Sequence, residues 1–303
     1  MTTERQQRSF IDPVVLAQLS ALPLVARKAM LGNVSGRHSS PHRGASVEFA
    51  EYRKYVPGDD LRRLDWRTYG RSDRFYVKEF EADTNLRMVL VVDTSGSMGM
   101  PSIGGTKFQY AQRVAAALAY VAIGQGDAVG MSCVAEGIVQ QVPPRRNPAH
   151  LSNLFDQLDI AKPQGESGLP AVLHEIAETV RQRALVVILS DLFMEPMILR
   201  DCFEHLRFRK HDVAAFHLLD PEEISFNFQR PTRFVDLEGG PSLFVDPVEI
   251  ADRYHQAITQ YLADLRRIML ETGVDYRRVL MDQPYDKTTR DFLVDRAHQR
   301  RMR

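Results

Sequence analysis

Asp93, Ser95 and Ser97 stand at alternate positions in LVVDTSGSM, directly after an apolar run. A strand needs only a turn residue to end. Three oxygen-bearing side chains spaced Asp-x-Ser-x-Ser converge instead on one point, as the hard ligands of a hydrated divalent cation do. Asp191 closes a second apolar run, VVILSDLF, and Ser167 offers a hydroxyl from the loop PQGESGLP. These five residues, completed by water, make an octahedral oxygen site suited to Mg²⁺ or Mn²⁺. A hydroxyl-rich, carboxylate-poor set favours Mg²⁺ over Ca²⁺. Such a cation keeps waters, so a carboxylate from another molecule can fill one position. The competing reading is a strand–helix loop whose hydroxyls merely cap the next helix.

Both carboxylates must sit at the carboxyl ends of neighbouring buried strands, where ligands bind in an open α/β sheet. The pattern of residues 86–220 supplies such strands. Arg87–Asp93 is nearly continuous in apolar residues, as in a strand covered on both faces. KFQYAQRVAAALAYVAI follows as a helix with Phe108, Ala111, Ala115, Leu118 and Ala122 on one side. AVGMSCVA and GIVQQVPP flank a turn at Glu136-Gly137. Helices are predicted at 148–159, 170–183 and 195–209, with strands ALVVILSD and DVAAFHLLD after the second and third. Strands alternating with helices of this length predict an α/β fold with a doubly wound, mostly parallel sheet. Beyond it lie a hairpin near 232–246 turning at Gly239-Gly240, a helix over 248–272, the strand YRRVLMD and a final helix from Lys287.

Residues 1–85 are loop-rich and densely charged, and form a small N-terminal subdomain ahead of the α/β domain, 86–303. Asp12 before Pro13 is a helix start, cap and first position in order. Val15, Leu16, Leu19 and Leu22 give that helix one apolar face. The segment is too short and polar to span a bilayer, and no other stretch is apolar enough, so the chain is expected to be cytoplasmic. Lys+Arg and Asp+Glu both total 39, which gives no global attraction to nucleic acid or an anionic membrane. The basic residues Arg53, Lys54, Arg62, Arg63, Arg67, Arg71 and Arg74 are interleaved with Glu51, Asp59, Asp60, Asp65 and Asp73, so ion pairing is expected there. His38 and His42 fall in loop sequence rather than on a helix face. Cys133 and Cys202 have no metal-ligand spacing and read as small buried hydrophobes.

DTSGSM resembles the metal-ion-dependent adhesion site of von Willebrand factor A domains, in which Asp-x-Ser-x-Ser is followed by a Thr and an Asp. Asp93, Ser95, Ser97 and Asp191 match it; Ser167 stands where the Thr is usual, keeping the hydroxyl. The preceding stretch resembles the DUF58 family signature in Gly44, Glu48-Phe49, Arg53, Tyr55, Pro57-Gly58-Asp59-Asp60, Arg62, Asp65-Trp66 and Arg71. The resemblance implies a von Willebrand factor A/Rossmann-like domain and a non-catalytic, metal-dependent protein-interaction module. It also implies a partner class, MoxR-type AAA+ ATPases, for which such proteins act as adaptors or co-chaperones in maturation or cofactor insertion. The runner-up is a metal-assisted hydrolase or phosphatase working through Asp93, Ser95 and Ser97. Against it, no His or Glu flanks either motif as a general base, DTSGSMG is no Gly-x-Ser-x-Gly elbow, and no Gly-Lys-Ser/Thr phosphate loop exists.

Overall fold

The computed structural model describes residues 8, 10–26, 48–54, 68–70, 75–81, 86–102 and 104–301. Two compact units divide it: Met1–Arg27 with Arg87–Arg303, and Lys28–Leu86. The first 27 residues thus group with the α/β unit, whereas the division at residue 85 placed them with the signature segment. The reason is local. Helix α1 (Pro13–Leu19) is capped by Asp12, which accepts from the Val14 N–H at 2.9 Å, and its Leu16 and Leu19 are buried.

Within the smaller unit, β1 (Glu48–Lys54) and β2 (Tyr76–Glu81) pair antiparallel with a bulge between Phe49 and Glu51. The Tyr69 ring stacks on Phe75 at 4.3 Å. Glu48, Phe49 and Arg53 of the signature lie in β1. Gly44, Tyr55, Pro57-Gly58-Asp59-Asp60, Arg62, Asp65, Trp66 and Arg71 lie outside the described residues, as do His38 and His42.

The larger unit opens with β3 (Arg87–Asp93), a two-residue ribbon of β4 (Pro101–Ser102) and β5 (Gly105–Thr106), and helix α2 (Lys107–Gly124). Strands β6 (Ala128–Val134) and β7 (Ile138–Arg145) follow, then α3 (His150–Ile160), α4 (Leu169–Thr179), β8 (Leu185–Ser190), α5 (Pro196–Phe208) and β9 (Asp212–Leu219). A short α6 (Pro221–Ser225), the hairpin β10 (Thr232–Phe234) and β11 (Leu243–Val245), α7 (Pro247–Thr272), β12 (Asp275–Leu280) and α8 (Tyr285–Arg301) complete it. The six-stranded sheet runs β12-β9-β8-β3-β6-β7, and all neighbours are parallel except β6 and β7.

Burial follows from the sequence. Every residue of β8 and β9 is buried, as continuous apolar strands covered on both faces require. Val89, Val91, Val186 and Ile188 point toward α4, α5 and α7, through Leu173, Phe203 and Leu265. The alternate residues face α2, which packs with α1, α3 and α8. Helix α2 is buried nearly all round, including Val114, Ala117 and Val121 beyond the predicted stripe, because these three helices enclose its outer side. Edge strand β7 carries Pro143 and Pro144, which remove ladder donors from an exposed edge. Cys133 and Cys202 are both buried; burial pushes each thiol up to about 12, so neither is a thiolate nucleophile at neutral pH. Among the described residues no helix is long and apolar enough to cross a membrane.

The chain leaves β3 for β6 on one side of the sheet and later places β8 on the other side. That reversal sets the carboxyl ends of β3 and β8 side by side, the place where open α/β sheets bind ligands and where the candidate ligands lie.

Candidate metal centre

Asp93 ends β3 and is buried. Its Oδ1 accepts the Ser95 N–H at 2.9 Å, and its Oδ2 accepts the Ser190 hydroxyl at 2.6 Å from the end of the neighbouring strand. Thr94 donates both its N–H and its hydroxyl to the Val134 carbonyl, fixing the loop to β6. The chain then turns through a 3₁₀ segment, Gly96–Gly99, which leaves the Ser95 and Ser97 hydroxyl oxygens 3.1 Å apart.

The loop containing Ser167 is stitched to this turn. Gln164 N–H donates to the Thr94 carbonyl at 2.9 Å, and Gly96 N–H donates to the Gly165 carbonyl at 2.9 Å. Gly168 anchors the other end against the turn between β6 and β7: a Cβ there would lie 2.2 Å from the Glu136 carbonyl oxygen, so only glycine fits. Ser167 Oγ is buried with no hydrogen-bond partner among the described residues. A buried hydroxyl normally finds a partner, and one left without costs about 1–3 kcal/mol.

Asp191 follows β8. Its Oδ2 accepts the Lys107 ammonium at 3.0 Å, and the same ammonium donates to Glu223 Oε1 at 2.6 Å. Lys107 is 1% exposed. Burial pulls the lysine down, but the charges of Asp191 and Glu223 outweigh it and raise its pKa, so it stays an ammonium. Burial raises Glu223 against the pull of Lys107. Asp93 is raised to about 6, first by burial and then by the charge of Asp191. Beyond Asp191 the buried Leu192 holds φ +53°, a left-handed conformation that side chains rarely adopt. The Tyr261 hydroxyl holds the Leu192 carbonyl there. Such strain gathers where a loop must present a functional group.

The donors fit a hard divalent cation. Ser95, Ser97 and Ser167 supply hydroxyl oxygens, one of them unsatisfied among the described residues, and Asp93 and Asp191 bring interacting carboxylates to the ends of neighbouring strands. Among the described residues no three His, Cys, Asp or Glu side chains cluster as a metal centre. A cation held here therefore depends on hydroxyl ligands, as Mg²⁺ and Mn²⁺ sites allow and a carboxylate-rich Ca²⁺ cage does not. His217 lies near Asp191, but burial lowers it to about 4 and its Nδ1 is 2.8 Å from the Tyr276 hydroxyl. Its Nε2 is buried without a hydrogen-bond partner among the described residues.

Three features escaped sequence reasoning. Ser190, adjacent to Asp191, orients Asp93. Lys107 and Glu223 bracket Asp191; the available signal was a lysine at the first position of a helix, where the macrodipole disfavours a cation. Thirdly, the hairpin tip lies on the site. A Cβ on Gly96 would fall 2.0 Å from the Leu237 carbonyl oxygen and 3.3 Å from Glu238 N. Phe234 at the hairpin base stacks on Phe226, which stacks in turn on Tyr254 at 4.1 Å. Gly96→Ala is expected to push the tip off the Asp93–Ser97 turn at a cost of about 1–3 kcal/mol. Faster proteolysis between Asp236 and Ser242 together with a lower denaturation midpoint reports it; unchanged cleavage removes the contact.

Rv1480 of Mycobacterium tuberculosis (strain ATCC 25618 / H37Rv), an uncharacterized protein, is 28% identical over 290 residues, covering 94% of this chain and 88% of its own. Among solved structures, an aerotolerance-related membrane protein from Bacteroides fragilis NCTC 9343, carrying multiple mutations to serines, superposes with TM-score 0.50 at 15% identity. It covers 71% of this chain and 100% of its own. The VWA domain of SpRpn10 aligns over 70% of this chain and 95% of its own, with TM-score 0.41 and 10% identity. At these identities the likeness concerns the fold alone, an α/β fold with a mostly parallel central sheet. The family described as "Protein of unknown function DUF58" matches residues 51–263, more than half of the sequence, and the chain belongs to it.

Proposed function

We propose that the protein is a non-catalytic, metal-dependent interaction module. In this reading Asp93, Ser95, Ser97, Ser167 and Asp191 hold a Mg²⁺ ion, with Mn²⁺ or Ca²⁺ as substitutes. A bound divalent cation supplies one coordination position that an acidic side chain of a partner completes. The observation that carries the reading is the buried Ser167 hydroxyl, without a partner among the described residues, on a loop hydrogen-bonded to the Asp93–Ser97 turn. The sheet offers a rigid platform for such a site, because the turn is tied to the last residue of β6 and the Ser167 loop to Ala135 just beyond it.

Family resemblance gives the partner class, a MoxR-type AAA+ ATPase, and with it the role of adaptor or co-chaperone in maturation or cofactor insertion. We read the protein as cytoplasmic, in keeping with two buried free thiols. The hydrolase reading gains little from His217, which is fully buried and whose pKa burial lowers to about 4.

The test is binding to a purified MoxR-type ATPase, with Mg²⁺ or with EDTA, using wild type and Asp93→Ala. Binding by wild type in Mg²⁺ alone is expected. Equal binding under all four conditions overturns the metal bridge. Turnover of a phosphate or carboxylic ester that disappears in Asp93→Ala replaces the module by the hydrolase.

A further inference from the structure

We propose that Lys107 is a built-in competitor for Asp191 that sets the affinity of the divalent-cation site, with Glu223 setting how strongly it competes. The inference rests on the reading of Asp93, Ser95, Ser97, Ser167 and Asp191 as that site.

Lys107 breaks a local rule. It occupies the first position of α2, directly after the Thr106 cap, where the amide dipoles repel a cation. It is also 1% exposed, and burying an ammonium is costly unless it is paired. A helix start needs neither property; Thr106 and Gln109 already form a complete capping box. Two long-range carboxylates stabilise the lysine there instead: Asp191, 84 residues on, and Glu223, 116 residues on.

Asp191 therefore divides its charge between two cations. One Asp191 oxygen is taken by the ammonium at 3.0 Å. Asp93, Asp191 and Glu223 against Lys107 leave two negative charges, which one divalent cation balances. Removing the ammonium releases Asp191 and adds a third negative charge, so a metal ion binds more tightly. Neutralising Glu223 has the opposite effect: the ammonium loses its second acceptor, settles on Asp191 and adds positive charge to the site. Glu223 itself is placed by α6, where its Oε2 accepts the Asp220 N–H at 2.7 Å and its carbonyl accepts the Tyr254 hydroxyl at 2.7 Å. Its carboxylate faces Lys107 because the backbone around it is fixed on both sides.

A purely structural ion-pair network makes a different forecast. Breaking it from either end would destabilise the fold and move metal affinity in one common direction, or not at all. Opposite shifts in affinity mark competition.

The experiment is calorimetric titration of the full chain with Mg²⁺ and with Mn²⁺, alongside melting temperatures in EDTA. Lys107→Met is expected to tighten the metal Kd by about tenfold while melting lower without metal, and Glu223→Gln to weaken the Kd by about tenfold. Should Lys107→Met fail to fold, Glu223→Gln decides alone, and an affinity unchanged or tightened in it overturns the proposal. Wild type that binds metal while both variants shift the same way also overturns it. Wild type that binds neither metal, by heat or by melting shift, removes the metal reading itself, a result separable from the other two.

Discussion

Arg296→Met is expected to lower the free energy of unfolding by about 3–5 kcal/mol, the cost of breaking a buried ion pair from one side. Arg296 lies on α8 and is fully buried. Its Nε donates to the Val25 carbonyl at 2.8 Å, its Nη1 to Asp275 Oδ2 at 3.2 Å, and its Nη2 to Asp212. The guanidinium also lies 5.3 Å from the centre of the Phe292 ring. One side chain thus ties α8 to the starts of β9 and β12 and to the segment after α1. Methionine fills much of the volume but strips the guanidinium from two buried carboxylates. Lysine recovers little, because one ammonium cannot reproduce a planar fork aimed at three acceptors. Chemical denaturation checks this: the midpoint falls while the slope is unchanged, as for a loss of stability without a change in exposed surface. A loss below about 1 kcal/mol would mean that Asp212 and Asp275 are satisfied without Arg296.

That network shows where sequence reading stops. The apolar runs Arg87–Asp93 and ALVVILSD announce strands covered on both sides, and β3 and β8 are such strands. Asp12 and Pro13 mark the start of α1 because capping is a local event between near neighbours. Asp93, Ser95 and Ser97 are legible for the same reason: their spacing alone places three oxygens on one turn. Periodicity reports that a residue is buried, not which distant residue it meets. Arg296 reads as one more charge on a polar helix, and its partners lie 84 and 21 residues away. Lys107 reads as an exposed helix start until α6 and β8 close around it. The hairpin was legible from Gly239-Gly240, yet its seat on Gly96 was not, since that contact is made by the Leu237 backbone.

Asp93→Asn is expected to stabilise the metal-free protein while abolishing its response to Mg²⁺. Burial, reinforced by Asp191, raises the Asp93 carboxyl to about 6. The folded chain therefore holds the Asp93 proton more tightly than the unfolded chain does. Between about pH 4 and pH 6 this site in the folded state binds more protons, so in EDTA the contribution of Asp93 to stability falls as pH rises through this window and then levels off. Ionised Asp93 at pH 7.5 costs about 1–3 kcal/mol, which asparagine removes. Asparagine can keep the Ser95 N–H bond through its oxygen. Its amide can donate to Ser190 Oγ, which already accepts the Leu192 N–H and retains a second lone pair. Hence the variant should unfold later than wild type in EDTA at pH 7.5, with its advantage over wild type shrinking toward pH 4.5. In Mg²⁺ the order reverses: a cation at a hundredfold excess over its Kd adds about 2.7 kcal/mol to wild type alone. Melting both proteins at pH 4.5 and 7.5, with EDTA and with Mg²⁺, reads every element of this. If Asp93→Asn melts below wild type in EDTA at pH 7.5, hydrogen bonding by the carboxylate outweighs its burial. A site held together in that way would be built as a strand terminus rather than kept at a cost for a cation.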